Sequence, residues 1–255
     1  MHGAVIAGSA VLGLLVGSLL NVLIDRVPHG VPLRGERDGE ASAPVSWFGL
    51  PAQPWVLRRG RHAGEPLPSR WLWVEIVTVA VFVELAVRYG DSSLLVPLLV
   101  LGASLVAVSA IDLELLRIPD RITFPTLALA LPLIVVVSVQ QDTTDAIPAA
   151  LIGSVAYFLL LFTTHMIYPA GMGFGDVKLA GVLGLYLGWL GWAEVIAGGF
   201  LGFLFGGVVG AALMAVRRAG RKSQIPFGPF MLAGAFTAIL WGGALADLYL
   251  DGVLG

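Results

Sequence analysis

The feature that most constrains this chain is a series of long apolar runs that account for most of its length. Eight runs are long enough, or nearly so, to cross about 30 Å of hydrocarbon as helices. They cover residues 4–24, 71–87, 92–111, 122–139, 146–168, 177–192, 193–216 and 225–246. Run 177–192 is the shortest, so a re-entrant or tilted helix is an alternative there. The pattern predicts an all-α, polytopic membrane protein with about eight transmembrane helices.

Composition narrows the class of protein further. Only 13% of the residues are charged, whereas soluble domains average about 25%, which argues against a soluble domain with one core. The net charge is -2, so the chain has no basic field for nucleic acid, and we expect no such partner. The chain contains no cysteine, which excludes disulfides, thiolate metal sites and a cysteine nucleophile.

The chain divides by polarity into three parts. Residues 1–25 form the first predicted transmembrane helix, which no cleavage site follows, so we expect it to be retained. Residues 26–70 are rich in Pro, Gly and Arg but contain aromatic residues such as Trp47 and Phe48, which pure linkers lack. We expect a small ordered loop subdomain there, with a solvated linker as the alternative. Residues 71–255 are predicted to form a seven-helix membrane core.

Basic residues indicate the orientation, because Lys and Arg are retained on the cytosolic side of a membrane. If the amino terminus lies outside, only Arg88 of the 15 Lys and Arg residues falls on the outer face. We therefore expect both termini outside and the 26–70 loop in the cytosol.

Three glycines and an ionisable pair stand between two of the apolar runs. Gly171, Gly173 and Gly175 precede Asp176 and Lys178 in the sequence G-M-G-F-G-D-V-K. Repeated glycine indicates a loop that turns tightly or lets another backbone approach. An acid at the end of a membrane segment is a functional hypothesis by default, because an unused charge there is costly. The alternative is a glycine-rich turn whose Asp caps a helix.

A second acid, Asp112, is placed at the same depth. It follows run 92–111 at its cytosolic end, and Asp176 precedes run 177–192 at its cytosolic start. Two carboxylates brought together cannot both ionise cheaply, so they can share one proton. Such a pair can activate water against a peptide carbonyl, one acid acting as base while the other hydrogen-bonds the developing oxyanion. This chemistry needs neither a metal nor a cofactor.

Other ionisable residues near the membrane are weaker candidates. Asp120 begins the fourth run, where a first-turn acid is a sufficient explanation, and Glu114 is expected in a solvated loop. Glu75 can line the site from the second run. Lys178 can bias the protonation of the neighbouring acid, or extend its amine to the lipid headgroups. His165 is expected as a packed or interfacial histidine.

Together these motifs resemble those of the type IV prepilin leader peptidases, which are membrane aspartic peptidases of the GxGD kind. Residues 171–179 match G-M-G-x-G-D-x-K-L, the most specific motif, and Asp112 with Ile118-Pro119-Asp120 matches the other catalytic motif. Further similarities to family motifs lie at residues 13–22, which look like G-x-x-x-G-S-F-L-N-V, at residues 66–75, and at residues 226–230, which read P-F-G-P-F.

The resemblance implies cleavage of the short basic leader of type IV prepilins or pseudopilins at the cytosolic face of a bacterial inner membrane. It implies Asp112 and Asp176 as the catalytic pair. The substrate-binding or supporting residues would be Gly173, Gly175, Lys178, Glu75, Pro226, Gly228 and Pro229. Family members often also methylate the new amino terminus with S-adenosylmethionine, and we expect this second activity here.

The chain departs from the family pattern in its first loop. Many members carry two Cys-x-x-Cys pairs there, which would bind zinc. Without cysteine this chain is expected to hold no zinc, a difference that leaves the acid pair untouched. Two alternatives stand for the whole chain: a proton-coupled transporter that uses intramembrane acids, and a non-catalytic membrane subunit. A transporter is expected to place its acids near the midplane, whereas these lie at one face.

Overall fold

The computed structural model describes residues 2–30, 61–62, 65–66, 69–169, 172–216 and 225–254. That part of the chain contains eight α-helices and one hairpin of two short strands. The helices are α1 (His2–Arg26), α2 (Ser69–Tyr89), α3 (Leu95–Leu115), α4 (Asp120–Gln140), α5 (Ala146–Ile167), α6 (Phe174–Leu190), α7 (Trp192–Ala215) and α8 (Gly228–Leu254). Strands β1 (Arg61–His62) and β2 (Glu65–Pro66) pair antiparallel. The predicted all-α class with eight helices is confirmed.

Within the described ranges, six helices are long and apolar enough to cross a membrane. They are α1, α3, α4, α5, α7 and the Gly228–Leu248 part of α8. Helices α2 and α6 do not meet this criterion of length and apolar character, for different reasons. α2 carries two arginines and two glutamates, and α6 has 17 residues, a rise of about 25 Å against about 30 Å of hydrocarbon. The protein is a multi-pass membrane protein, and α6 coincides with the shortest apolar run of the sequence.

The chain forms two compact units, Met1–Ile111 and Asp112–Gly255. In the first unit α1 packs on α2 at Gly17, where an added Cβ would lie 2.9 Å from the Cα of Glu75. One turn further along α1, the side-chain amide of Asn21 donates to the carbonyl oxygen of Trp71 at 3.0 Å. Most of the predicted 26–70 subdomain lies outside the described residues, so that division of the chain stays a prediction.

In the second unit, α6 is the central helix. It contacts α4, α5, α7 and α8, and nearly every residue from Asp176 to Trp189 is buried. A helix that is apolar on all sides can be enclosed in this way. Its closest neighbour is α5, since an added Cβ on Gly188 would lie 2.6 Å from the carbonyl oxygen of Ala149. α6 is therefore held on all sides by protein, with its amino-terminal turn at the candidate site.

Candidate active site

Asp112 lies on the last turn of α3, and its carboxylate is bonded to the beginning of α8. Oδ2 accepts the backbone N–H of Gly228 at 2.8 Å, and the residue is 5% exposed. An N–H at a helix amino terminus has no partner within its own helix and attracts a negative charge. An added Cβ on Gly228 would lie 2.9 Å from the same carboxylate oxygen. Glycine therefore lets the carboxylate reach this donor without displacement.

The P-F-G-P stretch at residues 226–229 explains why α8 begins at that point. The ring of Phe227 packs against Phe203 of α7, with centroids 5.2 Å apart. The carbonyl oxygen of Phe227 accepts the N–H groups of Phe230 and Met231, which closes the first turn. Pro229 sits in that turn, where a missing N–H leaves no hydrogen bond unmade. The stretch thus fixes the donor that faces Asp112.

Asp176 is the third residue of α6 and forms a reciprocal pair of hydrogen bonds with Gly173. The Gly173 N–H donates to Oδ2 at 3.1 Å, and the Asp176 N–H donates to the Gly173 carbonyl oxygen at 3.1 Å. The helix-capping alternative is therefore part of the structure. Capping uses only one carboxylate oxygen. Oδ1 is buried and has no hydrogen-bond partner within the described residues, which is unusual for a buried polar atom.

The two acids come together in the second unit although they belong to different helices. Their carboxylates interact electrostatically, and Asp176 is 7% exposed. In the part of the chain that the structure describes, neither forms an ion pair with Lys or Arg. Ionising both would place two like charges close together in a buried site. The geometry therefore suits a pair that holds one proton between them.

The glycines before Asp176 differ in how closely other parts of the chain approach them. An added Cβ on Gly175 would lie 2.9 Å from the Cβ of Ile118, so this glycine lets the α3–α4 loop approach α6. Gly173 has φ -71°, which any residue can adopt, and an added Cβ there would make an ordinary contact at 3.4 Å. Gly171 lies outside the described residues. The expected close approach is thus found at Gly175 and is not needed at Gly173.

Known proteins are similar to this chain over the regions that contain these motifs. The model of the type IV leader peptidase family matches residues 99–215, which include both acids. The bacterial peptidase A24 N-terminal domain matches residues 11–89. A prepilin leader peptidase/N-methyltransferase of Pseudomonas putida is 31% identical over 92% of this chain and 90% of its own. One of Xanthomonas campestris pv. campestris is 30% identical over 95% and 93%. The chain belongs to the type IV leader peptidase family.

Membership confirms the resemblance drawn from the motifs, and with it the prediction that the chain is a peptidase. The relatives match over nearly the whole length of both chains, so the match is not confined to one shared segment. No solved structure is significantly similar to this chain.

Lys178 of this leader peptidase bonds Asp120 and not Asp176. Its Nζ donates to both carboxylate oxygens of Asp120, at 2.7 and 2.9 Å, and lies 5.3 Å from the ring centre of Phe174. Asp120 is the first residue of α4, so it is an acid in the first turn of that helix. The interpretation that Lys178 acts on its neighbour in sequence has no contact to support it, because residues two apart on a helix do not share a face.

The remaining candidates lie in different surroundings. Glu75 belongs to the first unit of the leader peptidase, where it is buried, and its role at the site stays a prediction. Glu114 is exposed, as expected, but it lies on the last turn of α3 and not in a loop, because the helix continues to Leu115. His165 was expected to be packed or interfacial, and its ring does pack against Phe174. In addition, its Nδ1 lies 2.8 Å from the carbonyl oxygen of Met172 in the glycine-rich loop. No pattern in the sequence indicates this contact, since it depends on how the loop returns to α5.

Proposed function

We propose that this leader peptidase is an aspartic endopeptidase that removes the amino-terminal leader of type IV prepilins or related pseudopilins. The relatives' printed names supply the substrate class. The observation that carries the proposal is the buried pair of Asp112 and Asp176, two carboxylates from different helices that interact with each other and, among the described residues, form no ion pair with Lys or Arg.

The proposed chemistry uses the two acids in complementary protonation states. The ionised carboxylate takes a proton from a water molecule as the water oxygen attacks the scissile carbonyl carbon. The protonated acid hydrogen-bonds the oxygen on which negative charge develops. The carbon–nitrogen bond then breaks as the leaving nitrogen receives a proton from the pair. The N–H groups of Gly173 and Gly228 each hold one carboxylate oxygen in place during these steps.

The site is proposed to lie at the cytosolic face of a bacterial inner membrane, with both termini outside. The support is the distribution of Lys and Arg, which leaves only Arg88 on the outer face. The acids then fall at the cytosolic end of α3 and the cytosolic start of α6. A prepilin leader would reach them from the cytosol while the hydrophobic helix of the substrate stays in the bilayer.

A linked N-methylation of the new amino terminus is proposed because the relatives' names state that activity and cover nearly the full chain. The methyl donor would be S-adenosylmethionine. A cavity of about 470 Å³ lies between α1 and α2, but its polar groups are the carboxylates of Glu75 and Glu84 among apolar side chains. These offer no donor for the carboxylate of the methyl donor, so this cavity does not fit it and no step is assigned to residues there.

The test is cleavage of a purified prepilin by the full chain in proteoliposomes, followed by mass spectrometry. We expect the wild type to remove a leader-sized fragment, and Asp112→Asn and Asp176→Asn to lose about a thousandfold in rate, within the range of general acid–base catalysis. Glu114→Gln is the matched control, an exposed acid on the same turn of α3, and should cleave as the wild type does. Retained cleavage in either Asn variant would refute the assignment. The same spectrum, recorded with S-adenosylmethionine, shows whether one methyl group is added.

A further inference from the structure

One peptide group in the glycine-rich loop is hydrogen-bonded on both sides. Its carbonyl oxygen belongs to Met172 and lies 2.8 Å from Nδ1 of His165. Its N–H belongs to Gly173 and donates to Oδ2 of Asp176 at 3.1 Å. A carbonyl oxygen can only accept, so Nδ1 of His165 must carry a proton. The histidine, the peptide group and the carboxylate therefore form one continuous chain of hydrogen bonds.

We propose that His165 is a positioning residue that acts on Asp176 through this peptide group. The inference rests on the proposed role of Asp176 in cleavage. His165 does not touch the substrate in this scheme. It determines how firmly and in which direction the Gly173 N–H is presented to the carboxylate.

The planarity of the peptide group makes this transmission direct. In a trans peptide the C=O and N–H bonds are fixed in one plane and point in opposite directions. Holding the oxygen therefore fixes the direction of the N–H. A hydrogen bond to the oxygen also polarises the amide, which strengthens the bond that its N–H donates. With Oδ2 held in this way, Oδ1 of Asp176, which has no hydrogen-bond partner among the described residues, is kept in one orientation.

The surroundings of His165 hold its ring in place for this role. The residue lies in the last turn of α5, and its ring centre is 5.7 Å from that of Phe174, the first residue of α6. Phe174 also makes an edge contact with Phe162, one turn earlier on α5. The ring is thus packed against the helix that carries Asp176. A test must therefore separate the donor at Nδ1 from the bulk of the ring.

Substitutions that keep or remove the Nδ1 donor make that separation. His165→Asn places an amide N–H near the position of Nδ1, whereas His165→Gln places its amide one bond too far and His165→Leu has no donor. We expect Leu and Gln to lower kcat for prepilin cleavage about tenfold with little change in KM, and Asn to stay within about threefold of the wild type. Thr164→Val is the matched control on the same turn, because the Thr164 hydroxyl donates to the Leu160 carbonyl oxygen of its own helix and to no other group in the described part of the chain.

The ring tautomer gives a readout that does not depend on activity. Nitrogen NMR of the full chain labelled at histidine should show a proton on Nδ1 for the resonance that disappears in His165→Leu or His165→Gln. An unprotonated Nδ1 would overturn the proposal, as would equal losses in the Asn and Leu variants or wild-type kcat in all of them. These outcomes leave the proposed function standing if Asp176→Asn is inactive. If the wild type itself does not cleave prepilin, the proposed function fails, and the NMR result still decides the contact.

Discussion

Residues 112–120 and residues 176–178 together form two different kinds of carboxylate site, only a few residues apart in the sequence. Asp112 and Asp176 are buried, and the hydrogen bonds to their carboxylates come from backbone N–H groups. Asp120 is exposed and holds the ammonium group of Lys178 with both oxygens. The counter-charge, and not the residue type, therefore distinguishes them. An exposed ion pair contributes little to stability, whereas two buried carboxylates close to each other can share a proton.

The largest expected effect is at the buried pair of acids, where substitution should remove activity without lowering stability. Asp112→Asn and Asp176→Asn should lower the cleavage rate about a thousandfold, yet their Tm in detergent should equal or exceed that of the wild type. The amide oxygen of Asn can still accept the glycine N–H, and a buried uncompensated charge is removed. Thermal unfolding followed by circular dichroism measures this. A Tm lowered by many degrees in both variants would mean that the acids serve the fold.

The next effect concerns the donor that faces Asp112. Gly228→Ala adds a Cβ 2.9 Å from Oδ2 of Asp112, so either the carboxylate or the first turn of α8 must shift. A displacement of this size in a reacting group can lower the rate about a hundredfold. Gly207→Ala on α7 is the control, because an added Cβ there meets nothing within 4 Å. Equal prepilin cleavage rates in the two variants would contradict the geometry at Asp112.

A smaller effect is expected within the glycine-rich motif itself. Gly175→Ala should lower the cleavage rate about tenfold and destabilise the fold by about 1–3 kcal/mol, because its Cβ overlaps Ile118 in a packed contact. Gly173→Ala keeps the N–H that bonds Asp176 and has space for the methyl group. It should retain most of the activity. The reverse order of activities in the same prepilin assay would show that Gly173 and not Gly175 is the restrictive position.

The smallest effect is expected at the exposed ion pair. Asp120→Asn and Lys178→Met should each lower the cleavage rate less than about fivefold, since an exposed pair contributes about 1 kcal/mol or less. The double variant should resemble the single ones, because both remove the same interaction. Rate measurements at low and high salt provide the check. A loss as large as that of Asp176→Asn would place Asp120 and Lys178 among the reacting groups.

The helices and the positions of the two acids could be predicted from the sequence because they depend on local patterns. Apolar runs of sufficient length give the helices, and alternation of their direction puts Asp112 and Asp176 at one depth. The partner of Asp112 could not be predicted in this way. Its donor is a backbone N–H 116 positions away, and a backbone donor leaves no trace in the residue type. The P-F-G-P motif marks residues 226–229 as a candidate part of the site, but it does not indicate which of their atoms bonds Asp112.

The partner of Lys178 was open to prediction in part. Helical geometry alone places Lys178 on a different face from Asp176, which makes a partner elsewhere the better expectation. The requirement for glycine at 175, in contrast, depends on Ile118 from a separate loop. The bond from His165 to the Met172 carbonyl likewise depends on the path of the chain between α5 and α6. Long-range contacts of these kinds follow from the assembled fold.

The close backbone approach of α5 and α6 at Gly153 and Gly188 has a consequence for how the protein opens. An antiparallel hairpin joined along glycine-lined backbones should separate late, and only together with the unit around it. Amide deuterium uptake along α6 should therefore be the slowest in the second unit. Asp176 and its loop are then attached to a rigid helix. To admit an incoming polypeptide, the less tightly packed neighbours of α6 would have to move, while α6 itself stays in place.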